Sequence, residues 1–170
     1  MTSAHARGDY AKYSHSSSPY KDPEFPADES SLYWRNHLRD SEQPNAYNDP
    51  KWGVTGWARP SELVKTGSPS LFGSQGVLPL GTNQGGLGDC WFLASCSALA
   101  EYAPRIEKIF TNKDYNKAGI FEVTFFHMTE PVKVVVDDQL PIREGKDPRY
   151  TSFGVKTPVN SRMSDNGAWW

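Results

Sequence analysis

The sequence predicts an α+β fold in which a central, cysteine-bearing helix is followed by a short antiparallel hairpin. Residues 90 to 102 place apolar or small side chains on nearly every side of a helix, which is typical of a buried helix rather than a surface one. Residues 119 to 126 and 130 to 138 are rich in β-branched and aromatic side chains, which favours two strands. The short connection HMTE between them predicts a hairpin.

The elements that precede this centre are predicted with weaker signals. The first 30 residues are rich in Ser, Tyr and Pro and are expected to form a disordered or loosely docked arm, followed by one domain over residues 31 to 170. A short helix is expected at residues 31 to 39, and another that starts at Pro60 or Ser61, because proline is well suited to the first turn of a helix.

Two further elements are predicted around the hairpin. Pro104 is expected to open a short helix with the sequence PRIEKIF. From residue 140 to residue 166 the chain is polar and contains three prolines, so a long surface loop is expected there. The sequence contains no internal repeat.

Composition limits the classes of protein to which the chain can belong. With 170 residues it can form one domain with a hydrophobic core, and six Trp argue against a wholly disordered chain. The net charge of −2 argues against nucleic acid as a partner. No run of 18 apolar residues is present, so no membrane span is expected, and the polar N-terminus does not resemble a secretory signal. Two cysteines cannot form a disulfide framework, so a cytoplasmic protein is expected.

The segment QGGLGDC, residues 84 to 90, is the strongest candidate for a chemical site. Its glycines allow the backbone to pass close to a ligand, and the expected helix begins at Cys90. The partial positive charge of a helix N-terminus favours a thiolate, which makes Cys90 a candidate nucleophile. The Gln84 amide and the Cys90 backbone N–H could together form an oxyanion hole for acyl transfer.

Other interpretations of this segment stay open from the residues alone. Cys90 could be a small core residue, since most intracellular cysteines are inert. The glycines could form a ligand-binding loop beside an inert cysteine, but GGLGDC lacks the Gly-Lys-Ser/Thr ending of a P-loop and no clear strand precedes it. A zinc site is not expected, because the spacing of Cys90 and Cys96 does not fit and no His lies nearby. Cys96 is interpreted as a core residue.

The segment QGGLGDCWFLASCSALAEY resembles the catalytic-cysteine signature of the calpain family of cysteine proteases. The resemblance extends to YKDPEFPADESSLYW, WARPSEL, AGIFEVTFFHMTEPVKVVVDDQLPIREGK and NGAWW, and so covers roughly residues 20 to 170. It implies the first subdomain of a papain-like protease core, with Cys90 at the start of the central helix.

Individual residues acquire expected roles from this resemblance. It implies that Cys90 is the nucleophile, that Gln84 is the oxyanion donor and that Trp91 packs near the substrate groove. Asp137 and Asp138 match an acidic pair of the family. Two carboxylates suit acid–base or metal chemistry, but a structural role is favoured, because the pair follows a strand and Asp commonly binds turn backbone.

Family members supply a catalytic His and Asn from a second half of the core, well downstream of the Cys. The four His of this sequence, His5, His15, His37 and His127, do not occur in a matching context. The sequence ends at Trp170 within NGAWW, so the second catalytic half is expected to be supplied downstream in a longer product or not at all. The chain by itself is therefore expected to be an inactive fragment.

Calcium is the cofactor that the resemblance suggests for this half of the core. The acidic calcium ligands of the family correspond here to Gly81 and Gly167, which have no carboxylate. Calcium activation of this half is therefore in doubt, while backbone carbonyls leave weak binding open. No other cofactor is expected.

Together these observations predict a calpain-type cysteine endopeptidase that cleaves intracellular proteins or peptides through an acyl-enzyme at Cys90. The alternative is a non-catalytic calpain-like module that binds peptides or proteins without cleaving them. The two hypotheses differ in whether the coding sequence continues to a catalytic His and Asn.

Overall fold

The structure, a computed structural model, describes residues 6–31, 54–64, 67–81, 90–145 and 155–158 of the chain. Within these residues it combines short helices with antiparallel sheets, which confirms the predicted α+β class. The helices are α1 (Ala6–Tyr13), α2 (Pro60–Leu63), α3 (Cys90–Ala100) and α4 (Ala103–Glu107), with 3-10 helices at Glu29–Ser31 and Pro79–Gly81. The strands are β1 (Gly56–Ala58), β2 (Ile120–His127), β3 (Glu130–Asp137), β4 (Leu140–Gly145) and β5 (Val155–Pro158).

The predicted hairpin is confirmed as the pair of β2 and β3. The strands pair in register from the base to the tip, where His127 lies opposite Glu130. Met128 and Thr129 form the turn with positive φ angles of 48° and 72°, which match the twist of a two-residue hairpin connection.

The hairpin is the central layer of the described structure. Successive side chains of β2 point to opposite faces of the hairpin. Phe121 is buried on one face, in a core that also contains Ala100 of α3 and Ile106 of α4. Ile120 is buried on the other face together with Tyr20, and tyrosines of α1 pack against that cluster. The hairpin therefore lies between the N-terminal segment and the α3–α4 pair.

The N-terminal segment, predicted to be a disordered or loosely docked arm, contains α1 and packs on β2 and β3. Tyr20 is only 8% exposed, and its backbone N–H donates to the Ala118 carbonyl. Asp22 is also buried. The described part of this segment is therefore packed rather than disordered, and a domain boundary near residue 30 stays a prediction.

The helices predicted at Pro60 and Cys90 are confirmed as α2 and α3. The helix predicted from Pro104 is confirmed as α4, although it ends at Glu107 rather than at the end of the PRIEKIF segment. The helix predicted at residues 31 to 39 lies outside the described residues beyond its first position. In the part of the chain that the structure describes, no helix has the length and apolar character that a membrane crossing needs.

The long surface loop predicted from residue 140 is wrong over its described part. β4 pairs with both β1 and β5 in an antiparallel three-stranded sheet, and Ile142 is buried there. The Thr55 backbone N–H donates to the Ile142 carbonyl at 2.8 Å, across 87 positions of sequence. Pairing over such a distance leaves no signal in a short window of sequence, because strand formation depends strongly on the partner strand.

Candidate active site

The described residues cover one side of α3, the helix that carries Cys90. Its covered side includes Cys96 and Ala100, which are half-buried and buried. At 3.6 residues per turn, the exposed residues of the helix fall together on the opposite side. We term the apolar part of that exposed side the open face of α3; it consists of Trp91, Phe92, Ala94, Ala98 and Leu99.

The open face contradicts the expectation that α3 is buried on nearly all sides. Trp91 is 72% exposed and Leu99 is 44% exposed. α4 and the 3-10 helix Pro79–Gly81 pack against α3, but among the described residues they cover one side of it. Exposed apolar side chains grouped on one side of a helix make that side a candidate interaction surface.

Cys90 is the first residue of α3 and is exposed where the covered side meets the open face. The first turn of a helix has N–H groups without intrahelical partners, which can donate to an anion that forms beside them. Cys96 is half-buried, and burial raises the pKa of its thiol. These placements suit a nucleophile at Cys90 and a core residue at Cys96, and the catalytic role of Cys90 stays a prediction.

Gln84, the predicted oxyanion donor, lies outside the described residues, together with the rest of residues 82 to 89. The oxyanion hole therefore also stays a prediction. The segment that leads to Gln84 is described as far as the 3-10 helix Pro79–Gly81, which lies against α3. There the Ser97 hydroxyl donates to the Pro79 carbonyl at 3.0 Å.

Two of the four histidines are described. His127 ends β2 at the tip of the hairpin and is exposed, and His15 is exposed in the N-terminal segment. His5 and His37 lie outside the described residues. The described histidines thus occupy the hairpin tip and the N-terminal segment, rather than the helix that carries the candidate nucleophile.

Of the acidic pair, Asp137 has the structural role that the sequence favoured. Its carboxylate accepts hydrogen bonds from the backbone N–H of Gln139 at 3.0 Å and from the Gln139 side-chain amide at 2.9 Å. It also accepts a hydrogen bond from the backbone N–H of Asp22 at 3.1 Å. Asp137 thereby closes the turn after β3 and holds the N-terminal segment against the hairpin.

Asp138 is fully buried at the centre of a second cluster, which we term the Asp138 hub. The Arg59 guanidinium forms an ion pair with Asp138, and its other terminal nitrogen donates to the Tyr20 carbonyl at 2.6 Å. The Tyr115 hydroxyl donates to the second Asp138 oxygen at 2.8 Å. Burial raises the pKa of Asp138, against the lowering by Tyr115 and Arg59, and burial also raises the pKa of Tyr115 to about 12.

The Asp138 hub joins the N-terminal segment, the start of α2, the loop before β2 and the end of β3. Gly119 completes it, because its φ is 59° and an added Cβ would overlap Asp138 Oδ1 and Arg59 Nη1. Sequence reasoning missed Arg59 and Tyr115 as partners of the acidic pair. The only local signal was an arginine at the start of a predicted helix. An arginine alone does not show that it pairs with a carboxylate 79 positions later in the sequence.

The hydrogen bonds of Asp137 and Asp138 favour a structural role for the acidic pair, and the expected calcium position that is described supplies no carboxylate. Gly81 ends the 3-10 helix Pro79–Gly81 and offers no side-chain oxygen, while Gly167 lies outside the described residues. No group of three or more His, Cys, Asp or Glu that could hold a metal ion occurs in the described part of the chain. No reaction step is therefore assigned to calcium.

Known proteins provide an independent comparison. A family model described as calpain family cysteine protease matches residues 20–156. Calpain clp-4 of Caenorhabditis elegans is 38% identical over 125 residues, which cover 72% of this chain and 15% of that relative. Calpain-8 of Mus musculus is 35% identical over 130 residues, or 75% of this chain and 17% of the relative. The calpain-type cysteine protease ADL1 of Oryza sativa subsp. japonica is 36% identical over 137 residues, or 78% of this chain and 6% of the relative.

The matches confirm the family resemblance and the α+β, papain-like core that it implies. The matched region begins at residue 20, as the sequence predicted, and ends at residue 156 rather than at residue 170. The chain spans only 6% to 17% of the length of these three relatives.

Proposed function

This chain belongs to the calpain family of cysteine proteases, and we propose that it carries the nucleophile-bearing half of an endopeptidase active site that cleaves intracellular proteins in the cytoplasm. One observation carries the proposal: Cys90 is exposed at the N-terminus of α3, at the border of the open face. A cysteine in that position is accessible to a peptide and lies beside the unpaired N–H groups of a helix start, which can donate to an oxyanion.

The proposed reaction is acyl transfer to Cys90. The thiolate attacks the scissile carbonyl carbon, the carbonyl oxygen becomes an oxyanion, and the C–N bond then breaks to leave a thioester on Cys90. The Cys90 backbone N–H and the Gln84 amide stabilise the oxyanion. The departing amine takes a proton from a general acid, and water hydrolyses the thioester in a second step.

The general acid is proposed to come from a second catalytic half that covers the open face of α3. This arrangement places Cys90 at the seam between the two halves, and it removes from water an apolar surface that the described residues leave exposed. The second half is supplied downstream in a longer product or not at all. Without it, this chain is expected to cleave no peptide detectably.

A fluorogenic peptide assay tests the proposal with three proteins: the 170-residue chain, the chain continued through the family's second half, and the continued chain with Cys90→Ala. We expect turnover from the continued chain only, since general acid–base catalysis supplies a factor of about a hundred to ten thousand. The assay is run with and without calcium, and the 170-residue chain is expected to be inactive in both.

The alternative function is a non-catalytic module that binds peptides or proteins through the open face. It is favoured if the continued chain shows no Cys90-dependent turnover while it still binds the peptide, as measured by fluorescence anisotropy. Turnover by the 170-residue chain itself would contradict the proposed division of the catalytic residues, and His127 would then be the first histidine to replace.

A further inference from the structure

The hydrogen bonds of β2 show which backbone groups of the hairpin point outward. The Glu122 carbonyl and the Thr124 N–H point away from β3, since they form hydrogen bonds of 2.9 Å and 2.6 Å with the segment that follows α4. In an antiparallel pair, residues of this kind and the residues opposite them direct their backbone groups away from each other. Glu122 lies opposite Val135, and Thr124 lies opposite Lys133. The N–H and C=O groups of Val135 and Lys133 therefore point to the outer edge of β3.

This outer edge of β3 can act as a template for another strand. Asp137 also directs its backbone groups outward, because it lies two residues after Val135 on the same strand. No hydrogen bond from a described residue reaches the backbone groups of Lys133, Val135 or Asp137. An unpaired strand edge tends to pair with another chain. Pro131 has no N–H and therefore limits the usable edge toward the hairpin tip.

The helix α1 covers the middle of this edge. It packs more on β3 than on β2, and its Tyr10 and Tyr13 lie against the cluster that contains Val135. Val135 is only 8% exposed, and that fraction includes its backbone atoms. A second strand therefore has little access to Val135 while α1 is docked. The whole of α1 precedes residue 20, at which the match to the calpain family model begins.

The contact of α1 with the hairpin depends on side-chain packing. Among the described residues, the backbone of α1 forms no hydrogen bond with the backbone of β3. The helix has eight residues, and a helix of that length is not stable in water without tertiary contacts. Loss of the packing of Tyr10 or Tyr13 is therefore expected to displace α1 and to uncover the edge of β3.

We propose that α1 is a guard helix, which prevents two copies of this chain from pairing through the outer edges of their β3 strands. When α1 is displaced, the two strands pair antiparallel about a two-fold axis at Val135. This register uses the outward backbone groups of all three edge residues and places Lys133 opposite Asp137 of the second copy. Opposite charges across a strand pair are favourable, whereas a register centred on Lys133 would place two lysines together. The pairing does not depend on the chemistry at Cys90.

Disulfide trapping in the 170-residue chain tests this pairing. Val135→Cys places a thiol at the two-fold axis, where the Cα atoms of a hydrogen-bonded strand pair are about 5.5 Å apart, within the range of a disulfide. Tyr10→Glu is added to displace α1, because it places a carboxylate against the apolar cluster of Val135. Ala11→Glu is the matched control, since Ala11 is exposed on the same helix. After mild oxidation with diamide, mass spectrometry distinguishes a disulfide between two copies of residue 135 from disulfides of Cys90 and Cys96.

We expect Tyr10→Glu to raise the rate of this disulfide at least about tenfold, the effect of losing the burial of one half-buried aromatic side chain. Ala11→Glu leaves the rate unchanged. Val134→Cys is expected to form little disulfide in either background, because residue 134 points to the other face of the hairpin and has no copy of itself opposite. Equal rates for Tyr10→Glu and Ala11→Glu overturn the proposal, and so does equal trapping at residues 134 and 135.

A milder variant keeps the test decisive if Tyr10→Glu unfolds the chain, which fast alkylation of Cys96 would reveal. Tyr10→Ala removes the same packing without adding a charge, and a folded Tyr10→Ala chain is expected to show the same rise in trapping at residue 135. No rise in that variant overturns the proposal. Sedimentation velocity provides a second measurement, because dimers that form without trapping at residue 135 use another contact and also overturn it.

Discussion

The Asp138 hub and the open face of α3 differ in whether the described residues supply their partners. The buried carboxylate of the hub has hydrogen-bonding partners, whereas the apolar side chains of the open face have exposed surface. In the hub, a carboxylate with no exposed surface binds one guanidinium and one hydroxyl, and that guanidinium also binds a backbone carbonyl. In the open face, large apolar side chains such as Trp91 and Leu99 are exposed among the described residues. The hub has its partners within this chain, whereas the described residues leave the open face uncovered.

This difference indicates that the hub stabilises the fold, whereas the open face matters for association and for the chemistry at Cys90. A buried carboxylate is tolerated only when its partners are present, so the hub holds four stretches of chain in one arrangement. The open face contributes little to that arrangement, but it borders Cys90. Changes in the hub are therefore expected to affect folding, and changes at the open face are expected to affect association and thiol chemistry.

The largest effect is expected from Asp138→Ala. The substitution leaves the half-buried Arg59 guanidinium without its carboxylate, and breaking a buried ion pair in this way costs about 3–5 kcal/mol of unfolding free energy. Urea unfolding followed by tryptophan fluorescence at low protein concentration measures the loss. Glu107→Ala is the control, because Glu107 pairs with Lys113 on the surface and an exposed pair contributes at most about 1 kcal/mol. Similar losses in the two variants would contradict a special role of the hub.

A smaller effect on folding is expected from Gly119→Ala. Gly119 has a φ of 59°, where a side chain is strained, and its Cβ would overlap two atoms of the hub. Gly76→Ala is matched in backbone strain, since Gly76 has a φ of 74°, but its Cβ would meet nothing within 4 Å. We expect a loss of about 1 kcal/mol for Gly76→Ala and at least about 2 kcal/mol for Gly119→Ala in the same urea experiment. The prediction is wrong if the two losses are equal.

The open face is expected to make the 170-residue chain associate. Leu99→Gln replaces an apolar side chain of that face, and a half-exposed leucine contributes about 1 kcal/mol when it becomes fully buried. Sedimentation velocity at several concentrations is therefore expected to show association weakened about fivefold. Phe126→Gln is the control, because Phe126 is 69% exposed at the hairpin tip, away from α3. A wild-type chain that stays monomeric at all concentrations would contradict the role of the open face.

The sequence predicts those parts of the molecule whose signals are local. The hairpin, the helix start at Cys90 and the proline-initiated α2 each follow from a few neighbouring residues. The pairing of β1 with β4 and the ion pair of Arg59 with Asp138 each join residues about 80 positions apart, so no local pattern indicates them. The apolar character of α3 also follows from neighbouring residues, but the pattern alone does not show which side of the helix the described residues leave exposed.

The smallest effect is expected for the alkylation rates of the two cysteines of α3, which lie on differently exposed parts of the helix. Cys96 lies on the covered side, where burial raises the pKa of the thiol and so lowers the fraction of thiolate at neutral pH. Cys90 is exposed at the helix N-terminus. A short pulse of iodoacetamide followed by mass spectrometry is expected to label Cys90 at least about five times faster, because Cys90 is exposed whereas burial both shields Cys96 and raises the pKa of its thiol. In urea the two rates should become similar, because the helix that distinguishes them is lost. Preferential labelling of Cys96 under native conditions would contradict the assignment of Cys90 as the nucleophile.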